Sequence, residues 1–506
     1  MQDAAVVLCV LRERGRQGLP CEQLYRQLFS RDLYLLAYGS IYSNAGAMTP
    51  GACSETADGM SEDKLDTIIQ LMRQEKYRFA PARRVYIPKK NGKLRPLGLP
   101  SWSGKLVGEV VRLILEAICE PRFSGRSHGF RKGYGCHTAL REVQNTWTGT
   151  VWFIEGDISD CFGSPDHDIL LRIMAETIRD QRFLRLAGNM PRAGYLEDRE
   201  WHPTLSGSPQ GGVVSPILSN IYLDKLDKFV ERELIPQYTR GIQRRTSPGY
   251  RRVPWQLKRA RDLGDRAAAR DLVKQLRTLP YGEPVDPGYR RLRYVRYADD
   301  HLLGFTGTKA EAEEIKGKLA TFLRKDPGLE LNPVKTLITH ARSDPARFLG
   351  YHITVRHCDT KITSGRRSAS GMIALRVPPD VVTAQCARYR QHGKPWHRSK
   401  LQNLPEYDIV RIYGAEYRGV VNYYLCAQDV WRPGKFGAKS FQAVNGSIYV
   451  VLGCRCFSSG HLSASEGVKW DLPTLARVPS CPEAETAGSG LSGAGRGHGQ
   501  RIVQRM

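Results

Sequence analysis

Short apolar runs bounded by polar or small residues mark where this chain is expected to form strands. Residues 294–305 contain two such runs, one on each side of the adjacent pair Asp299 and Asp300, a pattern typical of a β-hairpin. The two carboxylates then lie at its tight turn. Folding alone does not favour two like charges side by side, but a divalent cation does, because Mg²⁺ takes hard oxygen ligands. The alternative at this point is a turn whose acids simply face solvent.

A second predicted strand, residues 151–157, also ends in an acid, Asp157. Predicted helices and loops separate it from the hairpin along the chain. The order of strand, helix, loop, helix and strand–turn–strand predicts an α+β fold with helices on one face of the sheet.

Apolar residues at helical spacing predict most of the other elements. The predicted helices lie in residues 1–80, 105–117, 166–180, 217–234, 256–276, 309–323 and 371–430, with a loop at 44–59 and a short strand pair at 347–353. A glycine-rich loop, residues 206–216, contains Gln210. Its spacing matches neither a Walker loop nor a dinucleotide fingerprint, but exposed glycine backbone lets a flat base approach closely.

The dipeptide Asn91-Gly92 separates two short strands in residues 83–100, which is a strong hairpin signal. Lys93 and Arg95 are among the basic residues at its tip. The hairpin is therefore expected to present a basic finger suited to phosphate. The alternative is an edge strand that carries lysines only to prevent aggregation.

The charge balance narrows the class of partner. The 506 residues include 76 Lys and Arg against 51 Asp and Glu, a formal charge of +25, which favours nucleic acid over a membrane surface. Solubility alone is the alternative. Residues 240–296 are strongly basic and 371–430 interleave aromatics with arginines, so both are expected to contact RNA. The candidate RNA-binding residues are Arg244, Arg245, Arg251, Arg252, Lys258, Arg259, Arg411 and Arg418.

The twelve cysteines show no paired metal-binding spacing, so we interpret them as reduced thiols of an intracellular protein. Residues 4–11 are apolar but run straight into arginines, which favours a helix over a signal peptide. No run approaches the length of a membrane span. We expect residence in a bacterial cytoplasm, with an organelle as the alternative.

The carboxylates suggest a reaction class. If Asp157 and Asp299 are brought side by side, they can hold two Mg²⁺ ions about 3.5–4 Å apart, the arrangement used in phosphoryl transfer. Lys93 and Arg95 would stabilise the charge on the phosphates. The same layout fits a nuclease or an inactive RNA binder, so these residues alone predict phosphoryl transfer on nucleic acid and no more.

The ordered set of motifs resembles the reverse transcriptases encoded in group II introns, which also act as intron maturases, and is most similar to their chloroplast-like lineage. The match covers roughly residues 20–430. The motifs are Ile87-Pro88-Lys89-Lys90-Asn91-Gly92, Ser127-His128-Gly129-Phe130-Arg131, Phe153-Ile154-Glu155-Gly156-Asp157-Ile158, Ser206-Gly207-Ser208-Pro209-Gln210-Gly211, Tyr297-Ala298-Asp299-Asp300, Leu331-Asn332-Pro333-Val334-Lys335-Thr336 and Phe348-Leu349-Gly350-Tyr351.

The resemblance implies a right-hand polymerase fold with fingers, a palm built on an antiparallel sheet, and a helical thumb, followed by a partial helical maturase region. The expected domains are an N-terminal helical extension at 1–80, fingers and palm at 81–354 with a basic insertion at 240–293, a thumb at 355–404, a maturase region at 405–472 and a disordered tail at 473–506.

The resemblance also implies roles for individual residues. Asp157, Asp299 and Asp300 would be catalytic and would hold Mg²⁺, with Mn²⁺ as the alternative, together with the carbonyl of Ile158. Residues for the incoming nucleotide would be Lys93, Arg95, Phe162, Gln210 and Lys335. Phe162 would exclude a 2′-hydroxyl, Gln210 would line the nucleotide and template pocket, and Lys335 would lie near the triphosphate. The implied partners are group II intron RNA, an RNA template with a DNA primer, and dNTPs.

The chain departs from the family pattern in two places. Gly163-Ser164 stands where the family usually has Asp-Asn, and past about Asp429 the resemblance fades, with no C-x-x-C and His-Asn-His endonuclease module. Two alternatives share the palm motifs or the RNA affinity: a splicing cofactor that only holds RNA, and a reverse transcriptase of a retron or CRISPR-linked system. The maturase-like residues 407–424 disfavour the second.

Overall fold

The computed structural model describes most of residues 3–430. It leaves out residues 90, 91, 93, 161, 162, 205, 208–210, 280, 284, 285, 359–361, 364, 365, 368, 369, 393, 396, 397, 402 and 431–506. The described residues lie within the first of two units, Met1–Ile448, whereas the second, Tyr449–Met506, lies outside them. Lys93, Phe162, Gln210, the predicted tail and the later part of the maturase-like region are thus outside the described residues.

Helices form where the chain combines helical spacing with a capping residue. The α-helices of the described chain are α1 Ala4–Arg16, α2 Arg31–Ile41, α3 Glu62–Arg73, α4 Trp102–Cys119, α5 Cys136–Thr146, α6 His167–Ala175, α7 Gln181–Arg192, α8 Ser215–Phe229, α9 Ile235–Gln237, α10 Pro248–Asp262, α11 Arg266–Thr278, α12 Lys309–Lys325, α13 Pro379–Ala387 and α14 Glu406–Tyr423. A π-helical turn, Val230–Leu234, joins α8 to α9. Short 3₁₀ turns lie at Tyr25–Phe29, Ala57–Gly59, Glu120–Arg122 and Ser399–Leu401.

The strands group into small sheets. They are β1 Ala82–Pro88, β2 Leu94–Leu99, β3 Trp152–Asp157, β4 Tyr195–Glu197, β5 Glu200–His202, β6 Arg291–Tyr297, β7 Asp300–Thr306, β8 Ile338–His340, β9 Ala346–Phe348, β10 Tyr351–Val355, β11 Ile362–Thr363, β12 Arg366–Arg367, β13 Ile373–Arg376, β14 Arg390–Gln391 and β15 Lys394–Pro395. Four-stranded sheets have the orders β6-β7-β3-β8 and β2-β1-β4-β5, and a three-stranded sheet has the order β13-β10-β9. The predicted hairpins at 83–100 and 294–305 are both confirmed.

The sheet β6-β7-β3-β8 is antiparallel throughout and is buried on both faces. Ile154 and Leu303 pack into a core with α4, α6, α8 and α12, whereas Phe153 and Leu302 pack into a second core with α5 and the β13-β10-β9 sheet. Our expectation of helices on one face only is therefore wrong. The physical reason lies in the strands, whose nearly continuous apolar sequences need cover on both sides.

Several element boundaries also differ from the prediction. The helix predicted at 256–276 is two helices, because Gly264 adopts a positive φ of 74° after α10 and the Asp265 carboxylate caps α11. The helix that begins at His167 ends at Ala175, not near 180.

Residues 355–404, the predicted thumb, are only partly helical where the structure describes them. The described part of that range contains one α-helix of nine residues, α13, together with short strands. The strand β13 pairs with β10 in register Ile353↔Leu375, so the predicted boundary at residue 354 cuts through one sheet. Ile373 and Leu375 of β13 pack into the second core, and this packing outweighs helical propensity there.

No helix within the described residues is both long and apolar enough to cross a lipid bilayer.

Candidate active site

Strand register brings the predicted carboxylates together. Asp157, the last residue of β3, stands directly opposite Asp300, the first residue of β7. Asp299 lies in the turn between β6 and β7, after Ala298, whose φ is +56°. A left-handed conformation is uncommon for a residue other than glycine and is often found at active sites. The structure therefore gathers three acids at one end of a buried sheet, although Asp157 is 142 residues from Asp299 and 143 residues from Asp300 in sequence.

The three acids strongly influence one another. Burial raises the pKa of Asp299, and the nearby charge of Asp157 adds to the effect. Burial and the charges of Asp299 and Asp157 raise the pKa of Asp300 to about 7. Crowded carboxylates that resist ionisation are a site where positive charge is favourable.

Lys335 supplies one positive charge. Its Nζ donates to Asp157 Oδ2 at 2.8 Å, and this hydrogen bond raises the pKa of Lys335. Asn332 fixes the local loop: its Nδ2 donates to the same oxygen at 3.3 Å, and its backbone N–H donates to the Asp157 carbonyl at 2.8 Å. Lys335 is predicted to lie near a triphosphate, and the structure places it beside the carboxylate of Asp157.

A buried polar network lies behind the turn, and the sequence reasoning missed it. Arg296 Nη1 donates to the Ala298 carbonyl at 2.9 Å, while Arg296 Nε and Nη2 donate to the two carboxylate oxygens of Asp227 at 2.8 and 2.6 Å. Tyr294 Oη also donates to Asp227 Oδ1 at 2.8 Å. The sequence did carry one signal for this network, because a charged residue, Arg296, lies within the predicted strand that precedes Asp299.

The segment that precedes α5 closes on the same turn. Ser127 Oγ accepts from Arg296 Nη2 at 2.8 Å, and the His128 N–H donates to the Arg296 carbonyl at 2.8 Å. Gly129 comes so close that a Cβ there would stand 2.3 Å from the Ala298 nitrogen. Glycine is required at this position by space.

Two other residues predicted for the site, Arg95 and Ile158, differ in their exposure to solvent. Arg95 is exposed on β2, and its charge acts on Asp299, lowering the pKa of that carboxyl against the effect of burial. Ile158 is buried and pairs with Leu331.

The candidate RNA-binding residues fall into two groups, one half-buried residue and several exposed ones. Arg244 is half-buried and donates to the Gly149 carbonyl at 3.0 Å, so it has a structural contact. Arg411 pairs with Asp408 at 3.3 Å on the surface of α14. The exposed members are Arg245, Arg251, Arg252, Lys258, Arg259, Arg411 and Arg418.

The donor set fits Mg²⁺ that arrives with a substrate. Among the described residues, no group of three or more His, Cys, Asp or Glu side chains could hold a metal ion by itself. Mg²⁺, however, is usually bound through one or two carboxylates plus substrate phosphates and water, not in an all-protein cage. Asp157, Asp299 and Asp300 provide such carboxylates, and the burial that raises the pKa values of Asp299 and Asp300 makes a nearby positive charge favourable.

Comparison with known proteins decides the family. Residues 87–353 match the model of the reverse transcriptase (RNA-dependent DNA polymerase) family. The chain is 41% identical over 429 residues to the group II intron-encoded protein LtrA of Lactococcus lactis subsp. cremoris, covering 80% of this chain and 71% of that protein. The chain belongs to the reverse transcriptases encoded by group II introns. Its membership confirms the predicted enzyme class, RNA-directed DNA polymerase, on a mixed α+β fold.

This group II intron reverse transcriptase is also similar to two other proteins. An uncharacterized 91 kDa protein in the cob intron of Schizosaccharomyces pombe is 38% identical over 412 residues, with 79% of this chain and 50% of that protein covered. Telomerase from Candida tropicalis in complex with a telomeric RNA fragment matches with a TM-score of 0.38 and 11% identity over 76% of this chain and 55% of that chain. The division into fingers, palm and thumb stays a prediction.

Proposed function

We propose that this reverse transcriptase copies group II intron RNA into DNA with two Mg²⁺ ions and also assists the splicing of that RNA. The observation that carries the proposal is the register that sets Asp157 opposite Asp300, with Asp299 in the adjoining turn. No folding reason favours three desolvated acids at one sheet end, whereas metal-assisted phosphoryl transfer needs them.

The protein residues have distinct tasks in this mechanism. The carboxylates of Asp157, Asp299 and Asp300 would hold the cations, with the Ile158 carbonyl as a further ligand. When bound, Mg²⁺ would lower the pKa of the primer 3′-hydroxyl and neutralise charge on the leaving pyrophosphate. Lys335, whose side chain is 62% exposed, would turn from Asp157 to a phosphate oxygen of the nucleotide.

The entering triphosphate would also meet Arg95, whose charge already acts on Asp299. An arginine there stabilises charge that develops on phosphate oxygens. The roles of Lys93, Phe162 and Gln210 stay predictions from the resemblance, since those residues lie outside the described chain.

Splicing assistance rests on the basic surface. The exposed residues of α10 and of α14 carry arginines suited to the phosphate backbone of an intron RNA. Mn²⁺ as an alternative metal and residence in a bacterial cytoplasm, or alternatively an organelle, belong to the same proposal. We assign no endonuclease activity to these residues.

Primer extension on an RNA template with Mg²⁺ tests the polymerase site. Asp157→Asn and Asp299→Asn should each lower the extension rate about 1000-fold, because each removes several kcal/mol of charge stabilisation. RNA affinity should hardly change. The matched control is Asp168→Asn, which alters an acid whose side chain is 80% exposed.

Two outcomes would contradict the proposal. Full extension by Asp299→Asn would refute the assignment of the site. Wild-type protein that binds intron RNA tightly and incorporates no nucleotide would support a splicing cofactor that only holds RNA. An intron-splicing assay on the same preparation tests the second activity.

A further inference from the structure

The end of α14 and the residues after it make a continuous set of contacts with the β13-β10-β9 sheet. We call residues 423–429 the C-terminal strap. Tyr423 Oη donates to the Leu349 carbonyl at 3.0 Å, and Tyr424 Oη donates to the Gly350 carbonyl at 3.2 Å. Both carbonyls belong to the two-residue turn between β9 and β10.

The turn that these hydroxyls hold is unfavourable for its sequence. Leu349 and Gly350 have φ values of +48° and +73°, as in a type I′ turn, which normally takes Asn-Gly. Leucine is disfavoured at a positive φ because its Cβ crowds the backbone. A Cβ at Gly350 would stand 3.2 Å from Tyr423 Oη. External contacts are therefore needed to keep the turn in place.

The backbone of the strap in turn accepts hydrogen bonds from side chains outside it. Tyr351 Oη donates to the Tyr423 carbonyl, and His137 Nε2 lies 2.9 Å from the same oxygen. Further along the strap, the Gln428 N–H donates to the Leu375 carbonyl at 2.9 Å. Asp429 Oδ1 accepts from the Val377 N–H at 2.9 Å. The strap is thus fixed at both ends.

The turn borders the catalytic hairpin. Phe348 and Leu349 pack in the same core as Val295 of β6, and Tyr297 packs against that core. Tyr424 lies in this core too, so the strap and the catalytic hairpin pack into one core.

A direct link also joins β9 to the strand that carries Asp157. The Arg347 N–H donates to Glu155 Oε2 at 2.8 Å, two residues before Asp157 in β3. Movement of the Leu349-Gly350 turn would consequently reach the catalytic carboxylates through β9 as well as through the shared core.

We propose that Tyr423 and Tyr424 are positioning residues for DNA synthesis. Their hydroxyls hold the Leu349-Gly350 turn against the catalytic hairpin and so fix the position of its carboxylates. The assignment rests on the polymerase activity and gives residues of the predicted maturase region a role in polymerisation itself.

The test uses the full chain with Tyr423→Phe, Tyr424→Phe and the double variant, which keep the rings and remove only the hydroxyls. Single-turnover extension is measured per active molecule after active-site titration, together with KM for dNTP. The double variant should lose about tenfold in rate constant, with KM for dNTP within about twofold. Tyr407→Phe is the control, because Tyr407 lies on the same helix and is 77% exposed.

A merely structural role would give a different result. The melting temperature and the active fraction would fall, but the rate constant per active molecule would equal that of the wild type, and this result would overturn the proposal. An unchanged rate in the double variant would overturn it too. Wild-type protein without any extension would instead refute the polymerase function.

Discussion

Arg296 and Asp227 form a bidentate ion pair directly behind the turn that carries Asp299, and each side chain is only 1% exposed. Two parallel N–H···O contacts, at 2.8 and 2.6 Å, leave the remaining Nη1 donor aimed at the Ala298 carbonyl. A planar guanidinium can serve both partners at once, whereas an ammonium cannot. The pair therefore connects α8 to the turn that carries Asp299.

Removing one member of this pair should be costly. Arg296→Ala leaves the Asp227 carboxylate buried and unpaired, so the free energy of unfolding should fall by about 3–5 kcal/mol, as measured by urea denaturation. The control is Lys274→Ala, which breaks an exposed pair with Asp271 and should change little. A loss below about 1 kcal/mol for Arg296→Ala would contradict the structural role of the pair.

A double variant separates stability from positioning. Arg296→Met with Asp227→Leu removes both charges, and such replacements are often close to neutral for stability. The turn still loses its hydrogen bond from Arg296, so primer extension should stay impaired although the protein folds. Recovery of both stability and activity would show that the pair does not position the turn.

Gly129 provides a second test of the turn. Gly129→Ala places a Cβ 2.3 Å from the Ala298 nitrogen, so the backbone must shift. A displacement of this kind near reacting groups should lower the extension rate about 100-fold. The control is Gly39→Ala on the exposed face of α2, where no heavy atom lies within 4 Å of the added Cβ; it should be neutral or stabilising. Equal activity of both variants would contradict the close approach.

The basic surface can be tested through salt dependence. Replacing Arg252 and Arg259 on α10 by alanine should reduce the slope of log K against log salt for RNA binding by about 1.5, because each phosphate contact releases counterions. Lys309→Ala with Arg324→Ala removes the same charge from exposed positions of a different helix, α12. If both pairs changed the slope equally, RNA contact at α10 would not be specific.

Asp224 should make stability depend on pH. Burial raises its pKa above the usual 3.8, although Lys228 opposes the shift, and within the described residues Oδ1 has no hydrogen-bond partner. Between 3.8 and the raised pKa the folded state binds more protons than the unfolded state, so this group makes stability fall as pH rises.

The comparison of wild type with Asp224→Asn isolates this contribution. From about pH 4 upward the wild type should lose stability relative to the variant, as measured by denaturation at a series of pH values. A difference that is constant with pH, or one of opposite sign, would contradict the prediction.

The local sequence predicted the hairpins and the acids because their signals are short in range. Asn91-Gly92 marks a tight turn, and two apolar runs around Asp299-Asp300 mark another, so both hairpins form as predicted. The break at Gly264 was also readable, since glycine followed by a capping aspartate ends one helix and begins the next. Apolar residues at helical spacing continue across this break, and for that reason the pattern predicted one helix instead of two.

The sequence by itself determined the reaction class and the family, since the order of the motifs can be read without coordinates. Only the tertiary structure decided what surrounds those acids. Arg296, Asp227 and Gly129 meet at the turn through contacts between residues up to 169 positions apart. The tertiary structure also decided that Tyr423 and Tyr424 contact the Leu349-Gly350 turn. Such contacts depend on which faces are buried together, and no local pattern encodes that choice.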